Sequence, residues 1–143
     1  CYLNGTDGIF NKSYYDLLIG MDATVFPSYY EPWGYTPLES VAFGVPTITT
    51  TLSGFGQWIL SSFENDFSAC GVNVISRGDY NYNAVAESIS QALYELSSND
   101  ETTMAKISKA AINTASQASW SNFIDYYDDA FVVAIENVQK RNN

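Results

Sequence analysis

The chain has 143 residues, enough for one domain with a single well-buried core. Its 16 acidic residues against 6 basic ones give a net charge of −10, which argues against nucleic acid or an anionic membrane as partner, since both need clustered Lys and Arg. Two scattered cysteines, Cys1 and Cys70, exclude a disulfide framework and a zinc site, and the longest apolar run falls well short of a membrane span of about 18 residues.

With no sign of a signal peptide, the expected compartment is the cytoplasm. The chain opens without Met on "CYLNGTDG", which reads as the end of a strand entering a loop, and so as a fragment of a longer protein. A helix is expected over 13–20 ("SYYDLLIG"), then a buried strand at 23–26 ("ATVF"). A second helix follows at 37–43 ("PLESVAF"), a strand at 46–50 ("PTITT"), a helix at 55–63 and a strand at 71–75 ("GVNVI"). Such alternation implies parallel strands with helices on both faces, an α/β fold with a Rossmann-like open sheet. Cys1 to Leu3 would be the remains of a further strand.

The second half is helical. Tyr82, Val85, Ala86, Ile89, Leu93 and Leu96 recur at helical spacing, and Ser98 lies three residues before Glu101 as in a capping box. Met104, Ile107, Ala111 and Ala115 mark the next face. A last helix carries Trp120, Phe123, Ile124, Tyr127, Phe131, Ile135 and Val138, a stripe wide enough to bury, while "KRNN" reads as a frayed end. Residues 1–118 are expected to form the sheet domain and 119–143 a C-terminal helix. Asp125, Asp128 and Asp129 read as a solvated face rather than a metal site.

The chemistry concentrates in "FPSYYEPWGYTPLESVAFGVP" (26–46). A strand ends at Phe26, Pro27 stops further pairing, and ligands in open α/β sheets bind just beyond strand carboxyl ends. Thr36 suits an N-cap, Pro37 the first helical position, and Glu39 the third. Glu39 then has two readings. In one it closes a capping box on Thr36. In the other a phosphate sits on the free amides at 35–36 and Glu39, aimed sideways, takes a vicinal diol such as a ribose. Glu31, on the far side of the phosphates, would face whatever group the diphosphate carries. A gap in the charges complicates this, because residues 13–76 contain no Lys or Arg and the chain has no His.

The segment 26–59, "FPSYYEPWGYTPLESVAFGVPTITTTLSGFGQWI", resembles the C-terminal domain of glycogen synthases of the animal and fungal type, retaining glycosyltransferases of GT-B architecture. Glu31 and Glu39 match the family's E-x7-E pattern, and "PSYYEPWGYTP" is more specific than that pattern alone. The likeness is strongest over 1–60 and continues weakly through "SWSNFIDYY" (119–127).

The resemblance implies that Glu39 holds the donor ribose, while Thr36 and the adjoining amides, Tyr35 included, hold the distal phosphate. Glu31 would sit beside the transferred glucose as the catalytic carboxylate. Trp33 and Gly34 would bring backbone amides to the sugar hydroxyls, and Tyr14 would stack on the base. Asp22 departs from the family's usual histidine. "SGFG" (53–56) reads either as part of the active-site floor or as a simple strand-to-helix turn. The reaction implied is transfer of glucose from a nucleotide diphosphate glucose to the non-reducing end of an α-1,4-glucan with retention. UDP-glucose is favoured over ADP-glucose, with no metal and no other cofactor.

Phosphate-binding cations and the acceptor site would come from a missing N-terminal domain of the same chain, so the fragment alone is expected to be inactive. No arginine-rich regulatory helix is apparent, which implies no sugar-phosphate activation through this segment. Two rival readings remain. One is another retaining GT-B enzyme making a surface polysaccharide or a disaccharide. The other is a non-catalytic α/β interaction module.

Overall fold

The computed structural model describes residues 5–141. The expected strand remnant at Cys1 to Leu3 lies outside them. Three parallel strands, β1 (Thr24–Val25), β2 (Thr47–Thr50) and β3 (Val72–Ile75), form one open sheet in the order β1-β2-β3. Thr24 pairs with Thr47 and Thr47 with Val72, so the three strands start level. Each is shorter than its sequence pattern suggests. The ladder reaches one residue past β1 through the Phe26 N–H to Ile48 O bond (2.8 Å) and stops at Pro27, which has no N–H to give.

Helices α1 (Tyr14–Leu18), α2 (Tyr35–Ala42) and α3 (Gly54–Phe63) fall where expected to within two residues. A short α4 (Phe67–Cys70) was not foreseen. Asp66 caps it by accepting from the Ser68 and Ala69 amides, and Gly71 ends it in the left-handed conformation at φ 69°. Gly71 is therefore a helix stop rather than the first residue of β3. It also has to be glycine, because a Cβ there would sit 2.6 Å from that of Ala111.

The sheet is covered on both sides. Val72 and Val74 point to one face, where Val41, Phe55, Ile59, Cys70 and Ala111 bury against them. Ile48 and Ile75 point to the other, under Val85 and Ala92 of α5 (Tyr82–Ser97). Each large aliphatic or aromatic side chain so buried contributes about 1.5–3 kcal/mol. The threonines of β2, all buried, are paired by hydroxyl bonds. Thr24 Oγ1 lies 2.6 Å from both Ser40 Oγ and Thr47 Oγ1, and Thr49 Oγ1 lies 3.2 Å from Ser53 Oγ.

Three expectations for the helical half need correction. Tyr82 and Leu93 of α5 are exposed, leaving Val85, Ala92 and Leu96 as its buried face. Ser98 does not begin α6 (Glu101–Gln117). It closes α5 and donates to Tyr94 O, while Asp100, next to the helix, accepts from Thr103 N and is the cap. The last helix, α7 (Trp120–Arg141), buries none of its residues. Its apolar stripe packs only at the first turns, where Phe123 meets Trp33 and Trp58 edge-on at 5.4 and 5.7 Å. Lys140 and Arg141 are still helical, and Asp125, Asp128 and Asp129 are exposed. No helix among the described residues is long and apolar enough to cross a membrane.

Candidate functional site

The loop from β1 to α2 runs along the carboxyl end of the sheet and is held there by backbone pairing. Glu31 N–H donates to Leu52 O, Gly54 N–H donates to Glu31 O, and Phe55 N–H donates to Trp33 O (3.1, 3.1 and 2.7 Å). Glu31 forms a parallel bridge with Ser53, so the loop continues the pairing of β1 with β2 beyond the strands themselves. Thr50 Oγ1 adds a bond to Ser28 O (2.7 Å), and Gln57 Nε2 donates to Thr51 O (2.6 Å). Gly54 makes the close approach possible, since a Cβ there would run into the Pro32 carbonyl. "SGFG" is thus a strand-to-helix turn in which Ser53 caps α3 by accepting from Gly56 N.

Helix α2 begins two residues earlier than its sequence suggests. Gly34, at φ 117°, is the N-cap and Thr36 lies inside the first turn. The capping box is absent, with no side chain bonded at this helix start. Its target is missing too, because the third helical position is Pro37, which has no N–H. The amides of Tyr35 and Thr36 have no hydrogen-bond partner among the described residues.

Glu31 and Glu39 flank this start. A Cβ on Gly34 would lie 3.5 Å from Glu31 Cγ, which sets the Glu31 side chain alongside the cap. Glu39 projects toward α1, where its Oε1 accepts from Tyr15 OH at 3.1 Å. Tyr15 stacks on Phe43, the residue closing α2, with ring centroids 5.3 Å apart and planes at 24°. Tyr14 meets Tyr15 edge-on, also at 5.3 Å. Partial burial, and then the nearby Glu39 charge, raise the Tyr14 phenol above the usual tyrosine value. Tyr15 is shifted the same way, chiefly by its hydrogen bond to Glu39.

The aromatics of the loop divide. Tyr35 is exposed, but Trp33 is an anchor rather than an open platform, its ring packed against Phe55, Trp58 and Phe123. Trp33, Tyr35, Trp58, Phe123 and Tyr127 line a groove of about 550 Å³ beside the α2 start.

Sequence reasoning missed two residues. Tyr15, not Tyr14, touches Glu39. Arg77, the first cation after the stretch without Lys or Arg, reaches back across the sheet end. Its Nη1 donates to Pro27 O (2.6 Å) and its guanidinium lies 4.8 Å over the Tyr29 ring, whose hydroxyl bonds Asp79 (2.6 Å). The signal was present, since Arg77 lies two residues past the third strand pattern. No cluster of three or more His, Cys, Asp or Glu suited to a metal occurs among the described residues.

A glycogen synthase family model matches residues 1–142. The chain belongs to the glycogen synthase family. It is 29% identical over 137 residues to the glycogen [starch] synthase of Caenorhabditis elegans, a match that covers 96% of this chain and 20% of that protein. Against glycogen [starch] synthase isoform 2 of Saccharomyces cerevisiae it is 41% identical over 91 residues, or 63% of the chain and 12% of the yeast protein. With the liver glycogen [starch] synthase of Mus musculus it shares 37% over 93 residues, 65% of the chain and 13% of the relative. The chain therefore spans a fifth or less of the length of these relatives. Family members of this name are glycosyltransferases, and the resemblance carried by the 26–59 segment is borne out.

Proposed function

We propose that the segment is the donor-binding part of a glycogen synthase. The longer protein would transfer glucose from a nucleotide diphosphate glucose, UDP-glucose in preference to ADP-glucose, to the non-reducing end of an α-1,4-glucan with retention. The observation that carries this reading is the α2 start, where two amides without a partner among the described residues lie between Glu31 and Glu39 and no described side chain closes the helix.

The two amides, of Tyr35 and Thr36, and the Thr36 hydroxyl are donors suited to the distal phosphate, in the partial positive field of the helix end. Glu39, pointing sideways along α2, accepts two bonds from the ribose diol. Glu31, on the loop side of Gly34, addresses the glucose and stabilises positive charge developing on its ring. The Trp33 and Gly34 amides, also without partners among the described residues, face the sugar hydroxyls. Tyr14 stacks on the base. This assignment calls for no metal or other cofactor. The acceptor and the cations that neutralise a departing diphosphate would belong to the N-terminal domain of the longer chain, which would leave this segment inactive alone; the compartment we propose is the cytoplasm.

The test is Glu31→Gln in the full-length protein, assayed by incorporation of labelled glucose into a glucan primer. Turnover should fall by roughly 10²–10³-fold, as for loss of one electrostatic stabiliser of a transition state, with donor binding preserved. Unchanged turnover with an intact fold would refute the assignment.

A further inference from the structure

We infer that Tyr15 is a positioning residue for ribose recognition, its hydroxyl fixing the Glu39 carboxylate in the orientation that a ribose diol meets. The inference rests on the reading of Glu39 given above. It starts from a glutamate that has no cation to hold it. The only salt bridge among the described residues, between Lys140 and Glu136, is far along α7. A half-buried glutamate left to itself samples several rotamers, and binding a ligand would have to suppress them.

The structure supplies one restraint, the 3.1 Å bond from Tyr15 OH to Glu39 Oε1. The donor is itself braced. The Tyr15 ring stacks on Phe43, one helical turn beyond Glu39 on α2, and meets Tyr14 in an edge contact. Tyrosine, phenylalanine and glutamate thus form one unit that joins α1 to α2. The hydrogen bond to Glu39 also raises the phenol above the usual tyrosine value, in keeping with its role as donor.

The geometry leaves capacity for a ligand. An ionised carboxylate offers about four lone-pair sites. Tyr15 occupies one, on Oε1. Among the described residues no other group bonds the second site on Oε1 or either on Oε2, leaving enough to accept the two hydroxyls of a vicinal diol side by side. The same bond restricts the carboxylate to a narrow range of torsions, which favours a paired diol over a single hydroxyl.

The experiment compares Tyr15→Phe, Tyr15→Leu and Glu39→Gln in the full-length enzyme, with UDP-glucose and its 2′-deoxyribose counterpart as donors. Tyr15 is exposed and Phe removes only the hydroxyl, so the fold should persist, as a thermal scan would show. Tyr15→Phe should raise KM for UDP-glucose by roughly three- to tenfold, the cost of ordering one freed side chain on binding, with kcat within about twofold. The preference for the ribose donor in kcat/KM should shrink by a similar factor, and Glu39→Gln should abolish it.

Should Glu39→Gln remove the preference while Tyr15→Phe leaves KM and preference intact, Tyr15 has no positioning role and the reading of Glu39 stands. Loss seen only in Tyr15→Leu would assign the effect to the ring and overturn the role of the hydroxyl. A lowered KM in Tyr15→Phe would make the phenol a competitor of the ribose, which also overturns it. A preference that survives Glu39→Gln would instead sink the ribose assignment itself.

Discussion

Gly54→Ala isolates the packing that places Glu31. The added methyl has no free direction, because it would fall on the Pro32 carbonyl oxygen and lie 3.2 Å from Trp33 Cα. Carbon and oxygen in non-bonded contact keep roughly 3.3 Å apart, so the 31–33 segment has to withdraw by about 1 Å. Two hydrogen bonds span that gap, Gly54 N–H to Glu31 O and Phe55 N–H to Trp33 O. Losing both costs about 1–3 kcal/mol, and loosening Trp33 from Phe55 adds to this. The functional loss should be larger than the loss of stability suggests. A displacement of about 1 Å at a group acting on the reacting centre costs on the order of 10²-fold in rate. The assay pairs a thermal melt with labelled-glucose turnover in the full-length enzyme. Gly78→Ala serves as control, since nothing lies within 4 Å of a Cβ built there. Gly54→Ala with the control's melting point and turnover would refute the claim that this contact sets the loop.

Acid sensitivity should carry the signature of the helix caps. Bonds from Ser68 and from Thr103 hold the Asp66 and Asp100 carboxyls below the usual aspartate value. A carboxyl lowered in the folded state contributes stability that is present above its unfolded value and lost as pH falls through the folded one. The melting point of Asp100→Asn should therefore drop less than that of the parent between about pH 5 and pH 2. Cys70 is fully buried and burial pushes its thiol up, so alkylation by iodoacetamide at pH 8 should proceed only as fast as the chain opens and should accelerate in urea.

The sheet and the helices around it were legible because their signals are local. Short β-branched runs at 23–26, 46–50 and 71–75 mark strands whichever partners they meet. Misplaced boundaries trace to features with no sequence signature at short range. Ser98 and Glu101 have capping-box spacing, yet Asp100 sits two residues nearer the helix and offers a stronger acceptor to Thr103 N. The stripe on α7 has the periodicity of a buried helix, but periodicity cannot state what is present to bury it. At the site, the loop between Glu31 and Glu39 was recognisable from its residue types. The choice of Tyr15 over Tyr14 was not, since adjacent helical residues point about 100° apart and only the packing of α1 on α2 decides which reaches Glu39.

Gly34 and Pro37 together explain why Glu39 is available at all. With Thr36 as cap, Glu39 would stand at the third helical position and fold back on its own backbone. Gly34 at φ 117° starts the helix earlier, which moves Glu39 to the fifth position, past the reach of a capping box. Pro37, now third, removes the one amide that a capping side chain would most often seek. The helix therefore opens with two donors, at Tyr35 and Thr36, that no described residue claims, and a carboxylate that turns to Tyr15. Two amides and a helix end supply about half a unit of positive charge. A diphosphate brought there would meet Glu31, Glu39 and a chain of net charge −10. Arg77 does not redress this, because it is already engaged with Pro27 O and the Tyr29 ring, where it braces the loop. An anion of that charge needs cations that residues 13–76 do not contain, so on the proposed reading this site would be shared with another part of the longer protein.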